Sequence, residues 1–234
     1  MGLAPYYERD GITVYLGDCL EVLPTLEAVD HVITDPPYNV GKDYGAWKDN
    51  LPECEYAAFI AGVAQHVQTA RSQAWLAPKK HIRLFLNVFP EAHIVVIKRG
   101  AGGPLRGGWS DQFDFLVTTG KPLRVWRDLW EDIRLKGEGY FFREDDFGHP
   151  GYTPAPIPTR TISLFTDPGE TILDPFMGSG TTLVAAKQLG RRAIGIELEE
   201  RWAEVAVKRL EATTPPLFTL PSEKPMQGQM EVPA

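Results

Sequence analysis

The chain has 234 residues, of which 43% are hydrophobic and 24% are charged, and its formal net charge at pH 7 is −7. This composition is typical of a globular protein with one large core or two small ones, and it excludes collagen-like and disulfide-framework proteins. No apolar run approaches the ~20 residues that span a bilayer, and the first residues lack a signal-peptide pattern, so we expect a cytoplasmic protein. The two cysteines, Cys19 and Cys54, do not supply a four-ligand zinc site, and we expect no metal.

Charge is unevenly distributed along the chain. Residues 71–143 contain 13 Lys and Arg against 7 Asp and Glu, whereas the remaining residues are strongly acidic. A basic middle between acidic flanks can present a cationic face to phosphates. A solvated charged surface explains the same pattern, so charge alone leaves both interpretations open.

The predicted elements alternate between strands and helices. Short apolar and β-branched runs predict strands at 12–16, 31–35, 93–98, 113–119, 123–126, 171–174 and 192–197. Helical periodicity predicts helices at 19–27, 54–70, 80–88, 159–165 and 180–189, and a last helix that ends near Leu210. This order predicts an α/β fold with a doubly wound, mostly parallel sheet. We expect one domain over residues 1–212 and a disordered, Pro-rich tail at 213–234.

Asp35-Pro36-Pro37-Tyr38 stands at the end of the strand predicted at 31–35. The two prolines stiffen the backbone and have no N–H, so the local carbonyl groups are free to accept hydrogen bonds. Aspartate adds charged acceptor oxygens, and tyrosine adds a flat ring. These groups suit a planar ligand with an amino group, such as adenine or cytosine, although a rigid strand exit with a surface tyrosine is the alternative.

A glycine-rich turn at residues 174–182 follows the strand predicted at 171–174. Gly178 and Gly180 allow a tight turn and a close approach to a ligand at the start of a helix. Glu197 ends the next strand, where a carboxylate can accept hydrogen bonds from ribose hydroxyls. The turn lacks the third glycine of dinucleotide-binding motifs, which disfavours a nicotinamide-dependent dehydrogenase, and it lacks the P-loop lysine. A nucleoside cofactor without phosphates is therefore favoured, at the carboxyl ends of the strands.

These segments, together with His149-Pro150 and Gly195-Ile196-Glu197, resemble the motifs of amino-directed DNA methyltransferases. Such enzymes use S-adenosylmethionine to methylate adenine N6 or cytosine N4. The order of the motifs, with the catalytic loop first and the cofactor loop last, resembles the circularly permuted beta subgroup. The resemblance implies a Rossmann-like methyltransferase fold, S-adenosylmethionine as cofactor and double-stranded DNA as partner. It favours adenine, because a serine in place of Asp35 is commoner among the cytosine-N4 enzymes.

The resemblance also assigns residues. The carboxylate of Asp35 and the carbonyl of Pro36 would accept hydrogen bonds from the target amine, next to Pro37, and Tyr38 would stack on a flipped base. The implied cofactor-binding residues are Asp18, Asp174, Phe176, Gly178, Ser179, Gly180, Thr181, Thr182 and Glu197. Asp18 suits a helix N-cap equally well. Thr153 occupies a position where the family often has a lysine near the cofactor carboxylate, so either its hydroxyl substitutes or cofactor binding is weaker.

Sequence-specific DNA recognition is assigned to two insertions, at about 39–52 and 99–148, because no separate DNA-binding domain is apparent. Basic residues predicted to contact DNA are Lys98, Arg99, Arg106, Arg124, Arg127 and Arg143. The leading hypothesis is a site-specific adenine-N6 DNA methyltransferase. The alternatives are a cytosine-N4 DNA methyltransferase and a non-catalytic DNA-binding protein with the same fold. The oligomeric state is not predicted.

Overall fold

The computed structural model describes residues 3–98, 113–124, 128–130 and 153–216. The strands within these ranges are β1 (Tyr7–Arg9), β2 (Ile12–Leu16), β3 (His31–Thr34), β4 (Ser72–Ala77), β5 (His93–Lys98), β6 (Phe113–Thr119), β7 (Leu129–Trp130), β8 (Thr171–Asp174) and β9 (Arg192–Glu197). They form one sheet in the order β1-β2-β9-β8-β3-β4-β6-β5-β7. The five adjacent strands from β2 to β4 are mutually parallel, whereas β1 and β6 run antiparallel to their neighbours. The predicted mostly parallel sheet is confirmed.

Helices cover both faces of this sheet. They are α1 (Cys19–Val22), α2 (Glu53–His66), α3 (Ile82–Val88), α4 (Pro156–Phe165), α5 (Thr181–Gln188) and α6 (Glu200–Ala212). One core cluster joins the sheet to α4, α5 and α6 through side chains such as Ile162 and Leu183, and the other joins it to α1, α2 and α3 through side chains such as Ile60 and Phe85. Each such side chain contributes roughly 1.5–3 kcal/mol of hydrophobic stabilisation. No helix in the described ranges is long and apolar enough to cross a membrane.

The winding of the sheet reverses between β3 and β8. The chain passes from β3 through α2 to β4 on one side, and from β8 through α5 to β9 on the other. At such a switch point the connections diverge and leave a crevice at the carboxyl ends of the strands. His31 pairs with Ile172 and Val32 pairs with Leu173, so the loops that follow β3 and β8 leave the sheet side by side.

Several predicted elements differ from the observed ones. The central strand β4 is missed, because all six of its residues are buried and none is β-branched, so neither alternation nor propensity indicates a strand. The short strands β1 and β7 are also missed. The strand predicted at 123–126 is wrong at Leu123 and Arg124, which form a bend where the Leu123 N–H donates to the carbonyl of Leu164. The helix predicted at 19–27 ends at Val22, and a 3₁₀ turn containing a proline follows it at Leu23–Thr25.

Candidate active site

A cavity opens at the carboxyl ends of the central parallel strands. Most of its lining comes from the turn after β2, the loop after β3, the turn after β8 and the end of β9, and Phe59, Thr153 and Trp202 complete it. The predicted residues that line it are Asp18, Asp35, Pro36, Pro37, Tyr38, Asp174, Phe176, Gly178, Ser179, Thr181, Thr182 and Glu197. Residues up to 179 positions apart are thus brought together. Gly180 is not part of the lining; its φ of +80° turns the chain into α5.

Asp35 has one engaged and one unsatisfied carboxylate oxygen. Its Oδ2 accepts a hydrogen bond of 2.6 Å from the hydroxyl of Thr153. Its Oδ1 is buried and has no hydrogen-bond partner within the described part of the chain. Burial raises the pKa of Asp35 to about 6, although the hydroxyl groups of Thr153 and Tyr38 act in the opposite direction. An unsatisfied buried acceptor calls for an explanation, and a donor group on an incoming ligand would provide one.

The loop after Tyr38 folds around one buried carboxylate. Asp49 accepts hydrogen bonds from the backbone N–H groups of Asn39 at 2.7 Å, and of Val40 and Lys42 at 3.0 Å each. At the start of the loop, the hydroxyl of Tyr56 on α2 donates to the carbonyl of Pro37 at 2.9 Å. These contacts fix the backbone of the predicted catalytic loop and of the segment that follows it.

Residues 39–52, which we call the lid, border the cavity. Lys42, Tyr44 and Trp47 of the lid line it. The Trp47 ring centroid is 4.4 Å from that of Phe59, which is 5.6 Å from that of Phe176. The Ala46 N–H donates to the carboxylate of Glu199, just after β9. The lid therefore connects the loop after β3 to α2 and to the residues just after β9. Its contact with DNA stays a prediction.

Hydrogen bonds within the turn after β8, and from β3 and α6, fix its conformation. The buried Asp174 accepts hydrogen bonds from the Thr34 hydroxyl at 2.6 Å and from the Phe176 N–H at 3.1 Å. Burial raises the pKa of Asp174 to about 6. From α6, the guanidinium group of Arg209 donates to the carbonyl and hydroxyl oxygens of Ser179. Asp174 thus orients the turn and links it to the strand that precedes Asp35.

Acidic side chains outnumber basic ones in the cavity. Glu197 accepts a hydrogen bond of 2.8 Å from the Glu199 N–H, and burial raises the pKa of Glu197 to about 7. Asp18 caps α1 by accepting a hydrogen bond from the Leu20 N–H at 2.8 Å, and it also lines the cavity, so both interpretations of Asp18 agree with its position. Five acidic side chains and one lysine line the cavity among the residues described. Their charge favours a cationic ligand.

Comparisons with known proteins identify the family. The DNA methylase profile for N6- and N4-directed enzymes matches residues 116–208. The putative methylase YubD of Escherichia coli strain K12 is 30% identical over 217 residues, which cover 84% of this chain and 88% of YubD. The chain belongs to the N6-adenine and N4-cytosine DNA methyltransferase family. Type II methyltransferase M.ScaI of Streptomyces caespitosus is 27% identical over 261 residues, covering 92% of this methyltransferase and 86% of M.ScaI.

Solved structures extend this likeness to the cofactor. The crystal structure of M1.HpyAVI in complex with SAM matches with a TM-score of 0.65 and 25% identity, covering 85% of this methyltransferase and 98% of that chain. S-adenosylmethionine is the cofactor, and DNA is the substrate. The cavity fits this cofactor, because a sulfonium and an ammonium against one carboxylate give a net positive charge, which the five acidic side chains complement.

The basic residues predicted to contact DNA are less completely described. Lys98 lies at the exposed end of β5. Arg124 donates to the carbonyl groups of Ser163 and Thr166 at the end of α4, so its guanidinium group is engaged within the methyltransferase. Outside the described residues lie Arg99, Arg106, Arg127, Arg143, His149 and Pro150. No group of three or more His, Cys, Asp or Glu side chains that could hold a metal ion occurs within the described ranges.

The sequence motifs do not predict several residues of the site. Thr34, Tyr56 and Arg209 contact the two predicted loops and Glu199 contacts the lid, but each lies outside the motif segments or at their margin. Thr153 is singled out by its departure from the family pattern, yet the contact with Asp35 gives it a position that the pattern does not indicate. Such partners come together only through the tertiary fold, so no local signal identifies them.

Proposed function

We propose that this methyltransferase transfers the methyl group of S-adenosylmethionine to N6 of adenine within a specific sequence of duplex DNA. The observation that carries the proposal is the Oδ1 atom of Asp35, a buried acceptor without a partner among the described residues. It belongs to the cavity that the residues of the late glycine turn and Glu197 also line. An acceptor for an amino group and a site for a methyl donor therefore share one space.

Asp35 and Pro36 act on the amine. An exocyclic amine delocalises its lone pair into the ring and is a poor nucleophile. When Oδ1 of Asp35 and the carbonyl of Pro36 accept its two N–H groups, the nitrogen becomes pyramidal and its lone pair is released for attack. The carboxylate stabilises the positive charge that develops on the nitrogen, and Oδ1 accepts the proton that the nitrogen then loses. Bound S-adenosylmethionine supplies an electrophilic methyl group, whose bonding electron pair stays on sulfur.

The remaining predicted residues bind and orient the cofactor. Glu197 accepts hydrogen bonds from the ribose hydroxyls, and Asp18 contacts the adenine. Phe176 packs against the cofactor, while residues 178–182 surround its ribose and methionine at the start of α5. Asp174 orients this turn through the Thr34 and Phe176 contacts. Holding both reactants in one geometry supplies much of the rate enhancement.

The target base leaves the duplex to reach this cavity, since its amine is otherwise paired, and Tyr38 stacks on it. DNA contacts come from the lid and from the insertion at about 99–148, on a single domain that covers residues 1–212. Cytosine N4 is the alternative target, because the same acceptors bind its amine. The aspartate at position 35 favours adenine, because the family more often has serine there in cytosine-N4 enzymes.

Methyl transfer to DNA tests the proposal directly. The protein is incubated with S-adenosylmethionine carrying a tritiated methyl group and with unmethylated genomic DNA, which is then hydrolysed to nucleosides. We expect the label in N6-methyl-2′-deoxyadenosine. We also expect Asp35→Ala to lower turnover by at least about 10²-fold while the cofactor Kd changes less than threefold. Label in N4-methyl-2′-deoxycytidine would overturn the adenine assignment, and full turnover by Asp35→Ala would overturn the role of Asp35.

A further inference from the structure

Thr153 is the residue whose position the motif pattern leaves unexplained. Where the family often has a lysine that approaches the cofactor carboxylate, this chain has a hydroxyl group. That hydroxyl lies 2.6 Å from Oδ2 of Asp35. A threonine hydroxyl has one proton to donate, and an ionised carboxylate can only accept. While Thr153 holds Asp35, it therefore has no proton left for the cofactor carboxylate.

The backbone around Thr153 is suited to holding the hydroxyl in one place. Three prolines follow it, at positions 154, 156 and 158, and each fixes its own φ angle. The residue before a proline is also restricted, to an extended conformation. α4 begins at Pro156 and is anchored in the core by Ile157 and Ile162, which are 2% and 0% exposed. Thr153 thus leads into a rigid, buried helix, so its contact with Asp35 costs little further conformational entropy.

From these contacts we infer that Thr153 is a positioning residue, which binds Oδ2 of Asp35 and leaves Oδ1 as the acceptor for the target amine. The inference rests on the proposed function for its catalytic consequence, but not for the contact itself. The hydrogen bond restrains the rotation of the carboxylate, so Oδ1 stays the oxygen that has no partner among the described residues. A neutral donor does this without the full positive charge that a lysine would bring, which keeps the carboxylate a good acceptor.

Other ionisable groups also act on Asp35, and an experiment must hold them constant. They are the carboxylates Asp114 and Asp174, the ammonium of Lys42 and the phenols Tyr38, Tyr44 and Tyr56. Replacing Thr153 changes none of them. Thr153→Val keeps the shape and removes the hydroxyl, and Thr153→Ser keeps the hydroxyl, so these two variants form a matched pair.

Three measurements test the inference. The first is the pKa of Asp35 from a ¹³C NMR titration of labelled carboxyl groups, with the signal assigned by its loss in Asp35→Asn. We expect Thr153→Val to raise this pKa by about one unit, because a hydrogen bond to the charged form is lost. The second is the pH profile of kcat for DNA methylation, which we expect to fall about 10–100-fold with its acidic limb shifted upward. The third is the cofactor Kd, which we expect to stay within twofold, and Thr153→Ser should resemble the wild type throughout.

Each contrary result overturns a defined statement. An unchanged pKa of Asp35 and an unchanged kcat profile in Thr153→Val would refute the inference, as would a Thr153→Ser variant that behaves like Thr153→Val. A loss of cofactor affinity with an unchanged pKa would place Thr153 on the cofactor instead. Failure of the proposed function has a different signature: wild-type protein would methylate no DNA, while the NMR titration would still report the Thr153 contact.

Discussion

Asp35→Asn should make the protein more stable as it makes the enzyme inactive. The carboxylate is held in a buried site with one unsatisfied oxygen, and its pKa is raised from 3.8 to about 6. The folded state therefore retains its proton at a pH where the unfolded chain has lost it, and stability falls as the pH rises from 3.8 through 6. A shift of roughly two units corresponds to about 3 kcal/mol at pH 8. The amide keeps an oxygen for Thr153 but leaves its NH₂ group unpartnered, which costs about 1 kcal/mol.

The net gain of about 2 kcal/mol corresponds to roughly 4–8 °C in Tm for a chain of this size. Scanning calorimetry without cofactor at pH 8 and pH 5 measures it, with Asp43→Asn as the control, because Asp43 is exposed and an asparagine keeps its acceptor for the Gly45 N–H. At pH 5 the wild-type cost is only about 1.5 kcal/mol, so the gain should shrink by more than half. A variant that melts at or below the wild-type temperature at pH 8, or that gains equally at both pH values, would refute this reasoning.

Three further predictions concern the cofactor side of the cavity. Cofactor affinity should increase between pH 6 and pH 8, by up to about tenfold per pH unit below pH 7. The reason is that Glu197, whose pKa is about 7, binds hydroxyl donors best when it is ionised. Calorimetric titrations that show a flat pH profile, or the same pH profile in Glu197→Gln, would contradict this. Gly45→Ala should speed cofactor dissociation several-fold in stopped-flow measurements. Its Cβ would lie 2.7 Å from an oxygen of Glu199, the side chain that holds the lid through Ala46. Gly41→Ala is the control, because Gly41 has a similar positive φ but no atom within 4 Å, and this variant should release the cofactor at the wild-type rate. Gly180→Ala should lower stability by about 2–3 kcal/mol in urea unfolding, because of its φ of +80° and a Cβ 2.8 Å from that of Ala206; adding Ala206→Gly should recover only the steric part, and full recovery would disprove a backbone cost.

Sequence periodicity predicts the central strands of this fold well where β-branched residues dominate. The strands at 12–16, 93–98, 113–119, 171–174 and 192–197 are observed with the predicted bounds. The positions of the two loops follow from the rule that ligands bind at the carboxyl ends of parallel strands, and one cavity does contain both. These strands are predictable because the β-branched and apolar residues within each strand already indicate that it belongs to the core.

Other features depend on side-chain contacts that no local sequence pattern predicts. β4 reads Ser-Gln-Ala-Trp-Leu-Ala. Inside the core the Trp75 indole N–H donates to the side-chain oxygen of Gln73, and the Gln73 amide donates to the Val67 carbonyl, an arrangement that no propensity scale anticipates. The lid is organised by Asp49, whose carboxylate accepts backbone donors seven to ten residues earlier. Thr153 reaches Asp35 across 118 positions. The positions of the two motif loops are therefore predictable from the sequence, whereas the side-chain contacts around them are not.

The pairing of β2 with β9 has a consequence for how the enzyme is made. Ile12 lies beside Ala193 and Leu16 beside Glu197, so the first long strand finds its neighbour almost at the other end of the chain. A ribosome that has released only the first 170 residues has delivered Asp35 without β8 and β9, which complete the cavity. The cofactor site is therefore incomplete until synthesis is nearly over. Pairing strands that are so far apart in sequence also makes a slow folding step. Cofactor that is present during refolding should therefore bind after the sheet has formed, and not to the folding intermediates that precede it.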